Sequence, residues 1–491
     1  MNYLKSSFFL LIAFTLNSTA LAKRPNVLFI IADDLMKQIE VYGDNTIKTP
    51  ELNKLAQESM IFDRAYCQYP LCGPSRAALM LSCYPDKSGL TWNQGGKSSS
   101  VQKKGLSMGI KTMPAYFKAN GYITVGGGKL YHNSVMPDTP DSATDFSVVL
   151  SNAGHDGKKV KIPGSKTKST HIIESSDLGI YEHKDGATVK RAKQWLSQHA
   201  SSNNEQPFFM SIGIKKPHSP YSCPKEFYDL YVRKNMHIST VKAPENILTH
   251  YSLSKPSALL KVHADTKMYD AYSLPMEKKK EMIHGYQACV TYADYLVGDL
   301  IRSLKENKLY DNTIVVFTSD HGYKLGEYDR WAKYTLHEKD AVVPFLVRAP
   351  QYQATFGQKT NAIVGLIDIY PTLAELCGIP IPEKIDGKSF AKTLQDNSAS
   401  ERDFIRTVLP RAATESHPRA AGISIFHKSG YRYHQWWEGE LNQTPSKESI
   451  AGYELYDHYN QNNTPISLKN IAKQHPEIIE KMHQIASKEL D

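Results

Sequence analysis

The sequence predicts a doubly wound α/β fold, with a mostly parallel sheet flanked by helices, followed by a smaller α+β domain with an antiparallel sheet. Two continuous apolar runs, residues 26–32 and 313–318, each end in polar side chains. That pattern is typical of strands buried on both faces of a parallel sheet. Strand-like and helix-like segments alternate between the two runs. The chain has 491 residues, more than the roughly 250–300 that one core supports, so we expect a second domain.

The elements of the large domain follow from local patterns. Thr49 and Pro50 predict the N-cap and first residue of a helix. Further strands are expected at residues 121–125 and 208–212, each running into a polar loop. A long helix is expected from about 276 to 309, because apolar residues recur there with helical spacing: Met282, Tyr286, Cys289, Leu296, Leu300 and Leu304.

A change of composition marks the smaller domain. Residues 368–378 predict a helix capped by Asp368 and ended by Gly378. The polar stretch 395–401 follows, then predicted strands at 431–437 and 454–456 and a closing helix at 476–490. We therefore divide the chain into a signal peptide (1–22), a large domain (23–394) and a smaller C-terminal domain (395–491).

The first 22 residues have the pattern of a secretory signal. Lys5 is their only charge, residues 8–16 are apolar, and Ala20-Leu21-Ala22 is a small-x-small cleavage site. The apolar run is too short for a bilayer, which requires about 20 residues. We expect an exported protein, periplasmic or secreted, with no membrane span.

Charge and cysteine content narrow the class of function. The net charge is +9 without a Lys/Arg run, which favours an anionic ligand over nucleic acid, although the charge could serve solubility alone. The six cysteines are too few and too scattered for a disulfide scaffold. The absence of a CxxC pair argues against a structural zinc site.

Acidic residues follow both apolar strands. Asp33-Asp34 and Asp320-His321 stand at the carboxyl ends of the two strands, where sites form in doubly wound folds. Three carboxylates around one point repel one another unless a cation lies between them. Oxygen-rich ligands favour calcium, with magnesium or manganese as alternatives. Alone, the aspartate pair could equally cap the next element.

Three basic side chains are candidates for binding an anion or moving a proton. Lys129 follows the glycine run 126–128, whose spacing does not fit a phosphate loop; a lysine close to a multi-oxygen anion explains it better. Lys333 is a second candidate, or a solvated surface lysine. His218 lies in a loop between two prolines, where it could act as a general acid or simply pack on Tyr221.

The pentapeptide Cys72-Gly73-Pro74-Ser75-Arg76 could mark only a turn before a helix. Together with the groups above, however, it resembles the type I sulfatases of the alkaline phosphatase superfamily, most closely the iduronate-2-sulfatase-like branch. The resemblance extends from Arg24 to about Leu455. Its other marks are Gly128-Lys129 with His132, Lys216-Pro217-His218, Thr318-Ser319-Asp320-His321-Gly322, Trp331-Ala332-Lys333-Tyr334 and Tyr370-Pro371-Thr372-Leu373.

The resemblance implies a fold, a reaction and roles for residues. The fold would be alkaline-phosphatase-like, and a maturation enzyme would oxidise Cys72 to formylglycine, whose hydrate attacks sulfur. Calcium would be held by Asp33, Asp34, matured Cys72, Asp320 and His321. Arg76 would steady the hydrate, Lys129 and Lys333 would bind sulfate, His218 would protonate the leaving oxygen, and His132 would take the proton that releases sulfate.

The implied activity is hydrolysis of sulfate esters of a sulfated polysaccharide or oligosaccharide. The expected substrates are uronic acid or galactose sulfates, in a glycosaminoglycan or an algal glycan such as ulvan or carrageenan. Candidates for stacking on sugar rings are Trp92, Tyr131, Tyr221, Trp331, Trp436 and Trp437.

One departure from the family pattern keeps an alternative open. Leu81 and Ser82 stand where the family usually has Thr-Gly, a stretch that the maturation enzyme reads. A chain whose Cys72 stays a thiol would be a non-catalytic binder of sulfated glycans. A second alternative is a phosphonate monoester or phosphate-diester hydrolase, because such enzymes share the Cys-x-Pro-Ser-Arg core.

Overall fold

The computed structural model describes residues 23–134, 140–161, 168–170, 173–202, 204–253, 262–264, 267–269, 274–458 and 469–490. The predicted signal peptide, residues 1–22, lies outside them. Within these ranges, every helix is too short or too polar to traverse a lipid bilayer.

An eight-stranded sheet forms the centre of the large domain. Its strands are β1 (Asn26–Asp33), β2 (Met60–Tyr66), β3 (Ile123–Gly128), β4 (Val148–Leu150), β5 (Phe208–Pro217), β6 (Thr313–Ser319), β7 (Phe345–Arg348) and β8 (Lys359–Gly365). They lie in the order β8-β2-β7-β6-β1-β5-β3-β4. Only β7 runs antiparallel to its neighbours, so the sheet is mostly parallel, as predicted.

Helices cover both faces of this sheet. The longer ones are α1 (Pro50–Gln57), α2 (Cys72–Leu81), α3 (Ser98–Met108), α4 (Met113–Ala119), α5 (Lys184–Ser201), α6 (Met276–Glu306) and α7 (Ile369–Leu376). Short helices lie at Pro85–Ser88, Pro140–Asp145, Lys225–Tyr228, Thr249–Ser252, Glu338–Ala341 and Ala391–Gln395. Alternate residues of β1 enter two different cores: Leu28 and Ile30 pack with α1, α5 and α6, while Phe29 and Ile31 pack with α2, α4 and α7. This explains why β1 is apolar throughout.

A four-stranded antiparallel sheet follows, as predicted for the smaller domain. Its strands are β9 (Phe404–Arg411), β10 (Ala420–His427), β11 (Tyr431–Glu438) and β12 (Ile450–Asp457), and α8 (Pro476–Leu490) packs on it. The sequence analysis identified β11, part of β12 and α8 but missed β9 and β10. The predicted fold class is confirmed, and the exact division after residue 394 stays a prediction.

Two local predictions need correction. The glycine run 126–128 is not a flexible segment after a strand but the end of β3. Glycine is required there because a Cβ on Gly126 would lie 2.5 Å from the Phe146 ring. Asp368 is the N-cap residue of α7, as predicted, but its side chain makes no capping hydrogen bond to that helix. Its carboxylate instead accepts hydrogen bonds from the backbone N–H of Gly365 and Lys388, both at 2.8 Å.

We expect the stability of the fold to decrease in acid partly through His183. This side chain is 1% exposed, and within the described ranges neither ring nitrogen has a hydrogen-bond partner. Burial, with His155 and Lys216, lowers its pKa from 6.5 to about 4, against the nearby Glu174 and Glu182. The unfolded chain therefore binds this proton near pH 6.5 and the folded chain does not. The free energy of unfolding should decrease by about 3 kcal/mol as the pH falls from 6.5 to 4.

Urea unfolding followed by circular dichroism at several pH values measures this effect. His183→Leu should lose that share of the pH dependence, whereas replacement of the exposed His237 by leucine should keep it. Equal pH dependence in the wild type and His183→Leu would contradict the prediction.

Candidate active site at the carboxyl end of the sheet

The acidic residues meet where β1 and β6 end. The two strands pair in parallel with Ala32 opposite Ser319, so Asp33-Asp34 and Asp320-His321 leave the sheet side by side. Asp34 adopts a left-handed conformation with φ 66°, and its backbone N–H donates to Asp320 Oδ1 at 3.2 Å. All four side chains are buried. The predicted convergence of the two pairs is confirmed.

Cys72 begins α2 beside this cluster and is 2% exposed. Its Sγ lies 3.0 Å from Lys333 Nζ and 3.4 Å from His321 Nε2. The Nδ1–H of His321 donates to the Gly322 carbonyl at 2.9 Å. Nε2 is therefore the nitrogen that faces Asp34 and Asp320, with Oδ1 of each at 3.5 Å. Against the effect of burial, Asp320 raises the pKa of His321 to about 9, so a cation that binds Nε2 would displace a proton from it.

The donor set fits a hard divalent cation. One ligand atom from each of Asp33, Cys72, Asp320 and His321 lies within 4.8 Å of the others, and Asp34 with His218 forms a second such set with Asp33 and Cys72. Asp33 Oδ1 is buried and accepts no hydrogen bond within the described residues. Carboxylate oxygens with one imidazole nitrogen are ligands that suit calcium or magnesium better than zinc.

The carboxylates also need a cation electrostatically. Burial and the neighbouring Asp33 raise the pKa of Asp320 to about 7, although Arg76 acts in the opposite direction. Burial would raise the pKa of Asp33 too, but Lys129, His218 and Arg76 together hold it below its ordinary value. Buried carboxylates this close are not all ionised near neutral pH without a positive charge between them. A bound divalent ion would supply that charge.

The position of the Cys72 side chain favours a negative charge. Burial alone would raise the pKa of its thiol, but Lys129, Lys333 and His321 lower it well below the ordinary value. The side chain also lies at the N-terminus of a ten-residue helix, where the helix dipole stabilises anions. Both predicted lysines are buried, Lys129 against Asp33 and Lys333 against Asp34. Lys333 is therefore not a solvated surface residue.

Arg76 connects the parts of the site and is completely buried. Its Nε donates to Asp320 Oδ2 at 2.9 Å, Nη2 donates to the Ala32 carbonyl at 3.2 Å, and Nη1 donates to the Lys129 carbonyl. Its hydrogen bonds in the described ranges thus go to a candidate metal ligand and to the backbone of β1 and of the Lys129 turn. The expected contact of Arg76 with a formylglycine hydrate stays a prediction.

Lys129 reaches Asp33 because of the glycine before it. Gly128 has φ +74°, and a Cβ there would lie 2.0 Å from the Gly213 carbonyl oxygen. The backbone N–H of Lys129 donates to that same oxygen at 2.9 Å.

Gly128→Ala is expected to lower the free energy of unfolding by at least about 1 kcal/mol, because alanine is strained at positive φ and also clashes with β5. Because the clash displaces Lys129, activity should also fall at temperatures where the variant is folded. Thermal unfolding and initial rates measure the two effects. Gly121→Ala is the matched control, since that glycine has φ +85° but open space around it. Full activity in folded Gly128→Ala would contradict the prediction.

The two candidate proton carriers line the opening of the site. His218 is partly exposed; its Nδ1–H donates to the Ser219 carbonyl at 2.6 Å, so Nε2 faces the site, 3.9 Å from Asp34 Oδ2. His132 follows the Lys129 turn and is one of the groups that lower the pKa of the Cys72 thiol. Its Nδ1 is buried and has no hydrogen-bond partner within the described residues. Its backbone N–H donates to the Gly96 carbonyl at 2.9 Å. All residues predicted for the site thus lie in one cluster.

Two supporting residues were not found by sequence reasoning. Ser75 Oγ donates to the Asp320 carbonyl; its place inside the pentapeptide could have suggested a role. Asn93 Oδ1 accepts a hydrogen bond from the Gly73 N–H at 3.0 Å and so holds the start of α2. Asn93 lies 20 residues away from Gly73 in sequence, and no pattern in the chain connects the two.

Known proteins share this sequence and fold. The sulfatase family model matches residues 25–379. A sulfatase of Formosa agariphila is 30% identical over 426 residues, covering 85% of this chain and 80% of that protein. Mouse iduronate 2-sulfatase is 28% identical, covering 74% of this chain and 71% of its own.

Among solved structures, phosphonate monoester hydrolase of Agrobacterium radiobacter superposes with a TM-score of 0.71 at 18% identity, covering 94% of this chain and 95% of its own. A protein in complex with its substrate D-glucosamine-2-N,6-O-disulfate gives 0.69 at 20% identity, covering 95% and 97%. These two likenesses show the fold. The family match and the curated relatives decide the reaction: the chain belongs to the sulfatase family and is a hydrolase of sulfate esters.

Proposed function

We propose that this sulfatase removes sulfate from a sulfated polysaccharide or oligosaccharide, using a formylglycine made from Cys72 and a calcium ion. The observation that carries the proposal is the surrounding of Cys72. A buried side chain at a helix N-terminus is surrounded by two lysines, an imidazole and the carboxylates of Asp33, Asp34 and Asp320. This arrangement suits a nucleophile that attacks a group with several negatively charged oxygens.

The proposed reaction requires a calcium ion and a formylglycine at position 72. Asp33, Asp34, Asp320 and His321 would hold calcium, which would give Lewis-acid stabilisation to developing negative charge. Oxidation of Cys72 by a maturation enzyme would supply an aldehyde hydrate, a nucleophile that can release sulfate afterwards. The thiol itself lacks the second hydroxyl that this release requires.

The other side chains act on charge and protons. Lys129 and Lys333 neutralise sulfate oxygens, since both ammonium groups lie in the buried cluster around Cys72. Nε2 of His218 faces the site and donates the proton that the leaving sugar oxygen needs. His132, which acts on the pKa of the Cys72 thiol, accepts the proton whose removal lets sulfate depart. Arg76 holds Asp320 and the Lys129 turn in place.

The substrate class is supported by relatives and by charge. One relative is named for iduronate sulfate, and one structural neighbour binds a sulfated glucosamine. The net charge of +9 suits a polyanionic glycan. We propose a uronic acid or galactose sulfate, in a glycosaminoglycan or an algal glycan such as ulvan or carrageenan. The expected export to the periplasm or outside the cell would bring the enzyme to such a polymer.

Mass spectrometry of the peptide containing residue 72, from protein made in a host with the maturation enzyme, tests the nucleophile. We expect a mass about 18 Da below that of the cysteine peptide, together with its hydrate. A thiol in every preparation would contradict the formylglycine and favour the glycan-binding alternative.

A phosphonate or phosphate-diester hydrolase is the second candidate, because a phosphonate monoester hydrolase shares the fold. Initial rates on para-nitrophenyl sulfate and para-nitrophenyl phenylphosphonate compare the two reactions directly. We expect the sulfate ester to be the better substrate by kcat/KM. The reverse order would favour the phosphonate reaction.

A further inference from the structure

A cavity of about 180 Å³ lies between the segment that follows α2 and the second sheet. Trp92 lines one side, and Arg411, Arg419 and Glu440 line the other. None of these four residues belongs to the cluster around Cys72. The cavity has the size of a single sugar ring rather than of a longer chain.

Each wall of the cavity is connected to the active site through a hydrogen bond and a sequence neighbour. On one side, Arg411 Nη1 donates to the Tyr334 carbonyl at 3.1 Å, and the residue before Tyr334 is Lys333, which contacts Cys72. On the other side, Trp92 precedes Asn93, whose side chain accepts the Gly73 N–H. A Cβ on Gly73 would lie only 2.6 Å from Asn93 Cα, so this wall packs directly on the start of α2. Each wall is therefore connected to the active site through one hydrogen bond and one sequence neighbour.

Arg411 lines this cavity and has one buried donor that is not used within the described residues. The side chain is 4% exposed, and its Nε and Nη1 donate to the backbone carbonyls of Tyr251 and Tyr334. Its guanidinium lies over the rings of Tyr334 and Trp436, at 5.1 and 5.2 Å. Nη2 has no hydrogen-bond partner, and no carboxylate of the described residues pairs with it. Burial without a counter-ion lowers the pKa of Arg411 to about 10.

An unpaired buried guanidinium is costly to the fold unless an anion offsets it. Ring contacts and two carbonyls explain how Arg411 is held, but they do not use Nη2. Guanidinium groups bind carboxylate and sulfate oxygens in a planar fork. Arg419, at the rim, is paired only with Glu440 at the surface, where both side chains are about half exposed, so it can turn toward a ligand at little cost.

Trp92 adds a surface for a sugar ring. It is 50% exposed, whereas the other five aromatic residues expected to stack on sugars are at most 2% exposed: Tyr131, Tyr221, Trp331, Trp436 and Trp437. Those five are core residues, and that part of the expectation was wrong. An exposed indole beside two arginines is suited to a ring that carries a negative charge.

We propose that this cavity is a subsite for the sugar next to the one that carries the scissile sulfate. Arg411 and Arg419 would bind an oxyanion of that sugar, either a carboxylate or a second sulfate ester, and Trp92 would stack on its ring. The subsite rests on the proposed function, and it predicts that the preferred substrate has an anionic group on two adjacent sugars.

Binding and turnover test the subsite separately. The probes are a heparin disaccharide of 2-O-sulfated uronate and N-sulfated glucosamine, its desulfated form, which keeps the carboxylate, and a carrageenan disaccharide with sulfated galactose and no carboxylate. Calorimetric titration uses Cys72→Ala as the background, so that binding does not depend on maturation. Trp92→Ala and Arg419→Gln should each weaken the binding of at least one anionic probe tenfold. The side chains of Trp92 and Arg419 are each about half exposed, so these variants should fold.

Turnover of para-nitrophenyl sulfate, which has no second sugar, is the matched measurement. Trp92→Ala and Arg419→Gln, each with Cys72 intact, should have a kcat/KM for para-nitrophenyl sulfate within twofold of the wild type. Arg302→Gln, at a surface arginine of α6 paired with Glu51, should change neither binding nor turnover. Weaker binding of the desulfated probe in the variants identifies a carboxylate as the anion, and an effect on the carrageenan probe alone identifies a sulfate. If Arg419→Gln still binds the charged probes more tightly than uncharged ones, the proposed anion binding by Arg411 is supported. If that preference disappears, anion binding by Arg411 is overturned.

Three results overturn the subsite: no probe binds, the variants bind all probes as well as the background does, or binding and para-nitrophenyl sulfate turnover fall by the same factor. The proposed function is judged by a different result. If the wild type does not cleave para-nitrophenyl sulfate while anionic disaccharides still require Trp92, the reaction is wrong and the subsite stands.

Discussion

Cys72→Ala should reduce kcat/KM for sulfate esters by about 10⁴-fold or more, because it removes the nucleophile and leaves only binding and charge stabilisation. The fold should be retained. The thiol is buried at the start of α2, and its contacts in the site are polar, with Lys333 and His321. Removing it leaves the two lysines to neutralise Asp33 and Asp34 without a third anion between them. Initial rates on para-nitrophenyl sulfate measure the loss, and circular dichroism reports the fold.

Cys67→Ala is the matched control. Cys67 is equally buried and lies five positions earlier, but it packs in the hydrophobic core and its Sγ donates to the Asp340 carbonyl at 3.6 Å. It should keep activity within a few-fold and lose some stability through the small cavity left behind. A Cys72→Ala enzyme with more than one-hundredth of the wild-type rate would contradict the assigned nucleophile.

Asp320→Asn is the second substitution with a large expected effect. We expect it to abolish both the stabilisation by calcium and most of the activity. In the wild type, calcium at about 100 times its Kd should stabilise the fold by about 2.7 kcal/mol, and removal of the ion by a chelator should abolish activity. The variant should show no stabilisation and should lose about 10³-fold in kcat/KM, since one ligand has lost its charge. Without calcium, its melting temperature should lie close to that of the wild type, because burial already disfavours the charged form of Asp320.

Asp368→Asn separates this effect from the loss of any buried carboxylate. Asp368 is 1% exposed and pairs with Arg402, far along the chain from the strand ends that form the site. This variant should lose stability at every calcium concentration yet keep both the calcium response and the activity. Thermal unfolding with and without calcium measures both variants. A calcium response in Asp320→Asn equal to that of the wild type would exclude Asp320 as a ligand.

Much of the large domain could be predicted because its signals are local. The apolar run of β1 indicates a strand buried on both faces. The helical spacing of apolar residues in 276–306 indicates α6, and Thr49-Pro50 indicates the start of α1. The strands of the small domain were harder. β9 was missed because it contains Arg406, Pro410 and Arg411, and charged residues and proline weaken the pattern of a buried strand. β10, which is buried throughout, was missed as well. The charge of Arg406 is compensated by Asp86, a partner far away in sequence.

The sequence by itself determined the family, the chemical types in the site and the strand ends that carry them, because parallel strands place their carboxyl ends at one edge. Only the tertiary structure decided which groups touch. It placed Arg76 on Asp320, made the glycine run part of a strand through the nearness of Phe146 and Gly213, and put five of six candidate aromatics in the core. It alone revealed the unpaired Arg411 beside Trp92. The physical reason is that local patterns report burial and periodicity, whereas the partner of a buried charge depends on segments that are distant along the chain.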